Sequence, residues 1–228
     1  PYPRFRTIQS PDFVLLTIMR MFLAEVAEDL ELNLPDLFLI TNSSQYKMKV
    51  QNRLYGRNSV GVDYKHFDKI HSRTVSARVL KELFSYTTAP KQIVDWVIEK
   101  VSAPRCVFPN GEVLQLNGTN PSGQFLTSLQ NSLVHKLYNT FLFSEILGID
   151  PREASSRIIS VMTGDDGIDT GSEEDLLRIA AKVAPLAKET LNVTVKLDMF
   201  EGDKVYPKTC LAPYLSNVFV DRSGFLIP

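Results

Sequence analysis

Apolar side chains recur at helical spacing from Phe13 through Leu16, Ile18, Phe22 and Leu23 to Val26, so residues 11 to 32 are expected to form a helix packed along one face. The period is then lost. Residues 41 to 58 are polar and basic, with Lys47, Lys49, Arg53 and Arg57, as a solvated surface would be. Ser59-Val60-Gly61-Val62-Asp63 predicts a strand at about 59 to 64, and helical spacing returns near 72 to 85 and 90 to 101. Pro109-Asn110-Gly111, between Cys106-Val107-Phe108 and Val113-Leu114, predicts a hairpin.

The second half opens with a long helical pattern from Ser122 to about Leu147, carried by Leu126, Leu129, Leu133, Leu137 and Phe141. Pro151 suits the first position of a short helix. Residues 157 to 170 then read as strand, tight Gly164-Asp165-Asp166 turn, strand. Ser172, followed by Glu173, Glu174 and Asp175, is an N-cap with an acidic first turn and opens a helix to about Thr190. Alternating Val193, Val195 and Leu197, and then Tyr214 to Val220, predict closing strands. Helices and antiparallel strands mix without regular βαβ alternation, so the expected class is α+β. Trp96 and the many phenylalanines are assigned to the core.

Composition narrows this picture only slightly. With 228 residues, 44% hydrophobic and 22% charged, the chain has the make-up of one or two ordinary globular domains. A net charge of -1 gives no global nucleic-acid signal, so any contact with a polyanion must come from local basic clusters. Cys106 and Cys210 are far apart and lack C-x-x-C spacing, which argues against a disulfide framework or zinc site and suits a reducing compartment. Arg20 and Glu25 break the longest apolar stretch, and the opening Pro1-Tyr2-Pro3-Arg4 is not a leader; neither a transmembrane segment nor a signal peptide is expected. The sequons starting at Asn42, Asn117 and Asn192 read as chance matches. His66, His71 and His135 stand apart from other ligand types and read as structural. A chain that begins without Met and stops at Pro228 in mid-pattern is expected to be a segment of something longer.

Three stretches carry chemistry: Asp63-Tyr64-Lys65-His66-Phe67-Asp68; Pro121-Ser122-Gly123 with Thr127 and Asn131; and Gly164-Asp165-Asp166. Singly they are unremarkable, since Gly-Asp-Asp is ordinary turn composition. Jointly, in this order and spacing, they resemble motifs A, B and C of RNA-dependent RNA polymerases: Asp-x4-Asp, Ser-Gly-x3-Thr-x3-Asn and Gly-Asp-Asp. With flanking motifs the resemblance covers nearly the whole chain. It implies a right-hand polymerase palm, an antiparallel sheet backed by helices, with part of the fingers and no thumb. Residues 1-58 would be partial fingers, 59-221 the palm with a fingers-like insertion at about 86-117, and 222-228 the start of a missing C-terminal region. The basic run at 41 to 58 then has template contact as an alternative to plain solvation.

The chemistry agrees with the resemblance. In nucleotidyl transfer both the attacking and leaving oxygens carry charge that paired divalent ions stabilise, and Mg2+ is held by one or two carboxylates completed by phosphates and water. The resemblance makes Asp63 and Asp165 the primary ligands of two Mg2+ ions, with Mn2+ able to substitute, and Asp166 a secondary ligand. Asp68, Thr127 and Asn131 would sense the ribose 2′-hydroxyl, and Ser122 and Gly123 would begin the loop that follows template and nucleotide. Thr127 and Asn131, four residues apart, share a helical face. Reverse transcriptases carry a bulky aromatic where Asp68 stands and Pro-Gln-Gly in place of Pro121-Ser122-Gly123, so they rank as the weaker alternative. A non-catalytic RNA-binding relative would lack a metal aspartate.

Arg4-Phe5-Arg6-Thr7-Ile8 resembles the basic motif F, placing Arg4 and Arg6 on the incoming triphosphate, with plain surface charge as the alternative. Glu201-Gly202-Asp203-Lys204 resembles the end of motif D, making Lys204 the acid that protonates pyrophosphate, with Lys196 and Lys208 as rivals. Tyr214-Leu215-Ser216-Asn217 falls where motif E belongs but lacks the family's usual Phe and Arg. The implied partners are RNA template, nascent RNA, NTPs and other viral replication proteins. Gly-Asp-Asp points to a positive-strand or double-stranded RNA virus, working in the host cytoplasm or the virion.

Overall fold

The computed structural model describes residues 11–34, 52–120, 125–214, 220–222 and 225–227. Arg4, Arg6, Lys47, Lys49, Ser122, Gly123 and the Leu215-Ser216-Asn217 part of the motif E match lie outside the described residues. Two compact units emerge, one formed by Pro1–Leu30 with His66–Val134 and the other by Glu31–Lys65 with His135–Pro228.

In the first unit, α1 (Phe13–Asn33) buries Leu15, Met19 and Leu23, one side chain per turn. The stripe expected from Phe13 is rotated, and Phe13 itself is exposed. A single turn, α2 (Phe67–Ile70), precedes α3 (Arg73–Ser85), which the Ser72 hydroxyl caps by accepting the Val75 N–H at 3.1 Å. α3 packs against α4 (Lys91–Ser102), the two burying Val79, Leu80, Leu83 and Phe84 and Val97 and Val101 respectively. Trp96, expected in the core, stands on the outer side of α4 and is one third exposed, at 36%. The predicted hairpin is present as β2 (Arg105–Val107) and β3 (Val113–Gln115). Beyond it, the chain passes so close to His71 that a Cβ on Gly118 would sit 2.1 Å from the His71 carbonyl oxygen, at a φ of 91° that only glycine adopts comfortably.

The second unit is built on a four-stranded antiparallel sheet in the order β4-β5-β1-β6, with β1 (Asn58–Tyr64), β4 (Ile159–Thr163), β5 (Asp166–Gly171) and β6 (Val195–Asp198). Successive side chains of a strand alternate between faces. Val161 and Ile168 share one face with Leu54, Leu211 and Tyr214 in a buried cluster. The other face carries Tyr64, Gly167 and Asp169 and meets residues of α5 (Thr127–Leu147), whose part from His135 onward belongs to this unit. Pro151 begins α6 (Pro151–Arg157) behind an Asp150 cap, and Arg157 grips Asp175 at 2.8 to 3.1 Å. Ser172 caps α7 (Glu173–Thr190) as its acidic first turn predicts.

The differences from expectation concern faces and ends. Helix α5 starts at Thr127 rather than Ser122, and Leu137 and Phe141, assigned to its buried stripe, are exposed at 53% and 38%. Beside Leu129, Val134, Tyr138 and Leu142 it also buries the polar Gln130, Asn131, Ser132, His135 and Asn139. Strand β6 begins at Val195, not Val193. Of the strand expected from Tyr214 to Val220, the described part comprises a bridge at Tyr214 and the start of β7 (Val220–Arg222), which pairs with an unexpected β8 (Phe225–Ile227).

Candidate active site

Strands β4 and β5 are joined by Gly164 and Asp165 alone, with a φ of 65° at Gly164, the glycine-first geometry that matches a two-residue hairpin to strand twist. The turn thereby sets Asp165 at the tip and Asp166 as the first residue of β5. Asp166 lies directly across from Asp63 on β1, and Asp63 lies directly across from Lys196 on β6. Opposite residues of an antiparallel pair project to the same face, so Asp166, Asp63 and Lys196 form a row across three strands. Asp63 is exposed, and the Tyr64 N–H behind it reaches the Asp165 carbonyl oxygen at 3.4 Å.

These side chains line an open cleft of about 440 Å³ together with Gly61, Val62, Asp198 and Pro213. Gly61 keeps the floor low, because a Cβ there would stand 3.0 Å from the Asp198 Cβ. Asp198 accepts a hydrogen bond from the Tyr206 hydroxyl at 3.3 Å. Four carboxylates facing one cleft offer hard oxygen donors, the set that Mg2+ or Mn2+ prefers. Among the described residues no group of three or more carboxylate, imidazole or thiol side chains is placed to hold a metal ion by itself. Mg2+ is commonly held by one or two carboxylates with phosphate and water completing its shell.

The motif D lysine stands apart. Lys204 is exposed and bonded to Glu201 at 2.6 Å, a contact that raises its pKa, and it does not line the cleft, whereas Lys196 does. In the first unit, the Asn131 amide donates to the Asp68 carboxylate at 2.6 Å, and Asn120 donates both to the Asn131 side-chain oxygen at 2.7 Å and to the Thr127 carbonyl at 3.1 Å. The Asn120 N–H in turn binds the Asp68 carbonyl at 2.7 Å. Asp68, Asn131 and Thr127, grouped from sequence, are thus brought together through a fourth residue, Asn120, that the motifs did not name. Asp198 was also missed; two residues after Lys196 on a strand, it had to share that lysine's face.

Residues 3–227 match the sequence profile of viral RNA-dependent RNA polymerases. The chain belongs to this family. Similar proteins include the non-structural polyprotein 1AB of Mink astrovirus 1, 27% identical over 137 residues, and the genome polyprotein of Canine calicivirus (strain 48), 33% identical over 122 residues. These alignments cover 55% and 51% of the chain but only 10% and 6% of the polyproteins, so the chain spans a small part of their length. A crystal structure of an insertion loop deletion mutant of the RNA-dependent RNA polymerase of a human picorbirnavirus superposes with a TM-score of 0.65 at 18% identity, over 96% of the chain and 42% of that polymerase. The fold of this family member is accordingly the α+β polymerase fold expected from its motifs.

Proposed function

We propose that the protein carrying this chain copies an RNA template, transferring nucleotides from NTPs to an RNA 3′-hydroxyl by two-metal nucleotidyl transfer. The observation that carries this reading is the shared cleft of Asp63, Asp165 and Asp166 on adjacent strands in a member of the polymerase family. Asp63 and Asp165 would be the primary ligands of two Mg2+ ions, or Mn2+ in their place, with Asp166 in support. Bound ions of this kind stabilise charge on the attacking and leaving oxygens. The chain itself contributes the orientation of its carboxylates, fixed by the tight turn and by strand pairing.

Ribose selection is assigned to Asp68, Asn131 and Thr127. The Asp68–Asn131 bond supports this, since a network already hydrogen-bonded holds its donors and acceptors in place for a 2′-hydroxyl. An acidic residue at 68, rather than a bulky aromatic, favours NTPs over dNTPs. Arg4 and Arg6 are assigned to the triphosphate, and Ser122 and Gly123 to the template-following loop. The proton donor to pyrophosphate is Lys204 by motif; Lys196 is a second reading, favoured by its place in the cleft. Residues 1-58 are assigned to the fingers and 59-221 to the palm. The proposed partners are template, nascent RNA and other viral replication proteins, in host cytoplasm or virion. Among the described residues no helix is long and apolar enough to cross a membrane.

Primer extension on an RNA template tests the reading, with NTPs and dNTPs compared in the protein carrying this chain. RNA synthesis that requires Mg2+ and strongly prefers NTPs is the expected result. Removing the carboxylate in Asp68→Ala should cut that preference about ten- to a hundredfold, the worth of a hydrogen bond to a charged group. Efficient dNTP use by the unaltered protein would instead indicate a reverse transcriptase.

A further inference from the structure

The sheet face opposite the cleft holds a set of buried polar side chains that the chemistry above does not use. His135 and Asn139 occupy successive turns of α5, and both are buried where a packed helix ordinarily places apolar residues. Burying such groups is costly unless they are paired. His135 has its Nδ1 3.1 Å from the carbonyl oxygen of Gly164, the first residue of the Gly-Asp-Asp turn. A carbonyl oxygen only accepts, so Nδ1 carries the proton and donates. The ring lies edge-on to Tyr64, with centroids 4.8 Å apart. It also occupies space left by the missing side chain of Gly167, where a Cβ would fall 2.8 Å from the His135 Cε1.

One turn further along, the Asn139 side-chain oxygen accepts the Tyr64 hydroxyl at 2.7 Å, and its nitrogen donates to the Asp169 carboxylate at 3.1 Å. Asp169 also accepts the Ser160 hydroxyl. One amide therefore ties β1 to β5 from beneath, and Asp169 carries the tie on to β4 through Ser160. The residues it ties adjoin the acidic ones: Tyr64 directly follows Asp63, and Asp169 lies on the strand that Asp166 begins. Because neighbouring residues of a strand face opposite ways, fixing Tyr64 below fixes the direction of Asp63 above.

We propose that His135 and Asn139 are positioning residues for the metal-binding carboxylates, His135 holding the Gly-Asp-Asp turn and Asn139 holding the Asp63 strand end in register with it. The proposal rests on the metal-site reading above. Neither side chain touches an ion or substrate. Each acts through the backbone or strand that presents a carboxylate, as the partners behind metal ligands commonly do.

The test is Mn2+ affinity measured by calorimetry on the protein carrying this chain, without nucleotide, beside steady-state primer extension. His135→Leu keeps volume and removes the donor; it is expected to weaken Mn2+ binding tenfold or more and lower kcat, with KM for NTP little changed. His135→Asn, whose amide nitrogen can stand where Nδ1 stood, is expected to restore most of the affinity, which a mere packing role would not. Wild-type affinity in a folded His135→Leu protein, or equal defects in His135→Leu and His135→Asn, overturns the proposal. Should the leucine variant not fold, His135→Asn is set against His135→Gln, which carries its amide at the Nε2 position; equal affinities of that pair overturn it too. Asp165→Ala separates the two levels of the argument. If it leaves Mn2+ binding intact, the metal-site reading falls and the positioning role with it; if it abolishes binding while His135→Leu does not weaken it, the positioning role alone falls.

Discussion

The two faces of the central sheet bear aspartates in opposite circumstances. On one, Asp63, Asp165 and Asp166 open onto a cleft that Lys196 also lines. On the other, Asp169 is almost fully buried at 1% exposure, bonded to Asn139 and Ser160. The strands are the same and the side chains alternate between faces, so a shift of one residue decides whether a carboxylate is available for chemistry or committed to structure. A buried charge persists only with its hydrogen bonds satisfied, whereas a carboxylate lining an open cleft can be reached by a ligand from solvent.

Mutations on the two faces are accordingly expected to have separable effects. The largest is expected from Asp165→Ala, which should lower RNA synthesis by several kcal/mol of transition-state stabilisation, on the order of a thousandfold, with the melting temperature unchanged. Primer extension beside a thermal melt checks it, and an active variant would remove Asp165 from the chemistry. Asp169→Ala should do the reverse. Leaving Asn139 and Ser160 without their buried acceptor should cost roughly 2–4 kcal/mol in denaturant unfolding. Full stability in that variant would show that the lower face is not structural.

Acid should also act through buried groups. Burial lowers the pKa of His135 and of His71 from 6.5 to about 4, the Gly164 bond opposing this slightly at His135. Between those values the unfolded chain takes up protons that the folded chain does not, so stability falls as pH drops from about 6.5 toward 4. The slope approaches about 1.4 kcal/mol per pH unit for each histidine. Melts at stepped pH should show it, and His71→Gln should make the slope shallower; an unaltered slope would refute the assignment. The smallest effect is expected in the lysine pair. Lys204→Ala should slow extension less than Lys196→Ala if place in the cleft decides the proton donor, and the opposite order would return the role to motif D.

Much of this was legible in sequence because it is local. The Ser172 cap, the β2–β3 hairpin and the Gly164 turn depend on neighbouring residues, and all are where spacing and residue type put them. Asp68 and Asn131 could be joined because the motif records a long-range contact that periodicity cannot. Helix α5 misled for the converse reason. Its apolar pattern placed Leu126 and Leu129 inside as found, but not Leu137 and Phe141, and gave no sign of His135 and Asn139, because the partners that make these worth burying, Gly164 and Asp169, lie 29 and 30 residues downstream. Asp198 shares the face of Lys196 by strand alternation, but only the register of β6 against β1 shows that this face is the one bearing Asp63.

That register has an implication for how such a polymerase can change over generations. Asp63 sits on an interior strand, matched to Asp166 on one side and Lys196 on the other. A codon inserted or deleted between Asn58 and Asp63 would slide the strand by one step, turning Tyr64 toward the cleft and Asp63 toward the buried helix side. Substitutions can be sampled along this strand one position at a time, but its length cannot. The spacing upstream of the aspartate is therefore constrained by the same strand pairing that orients the aspartate.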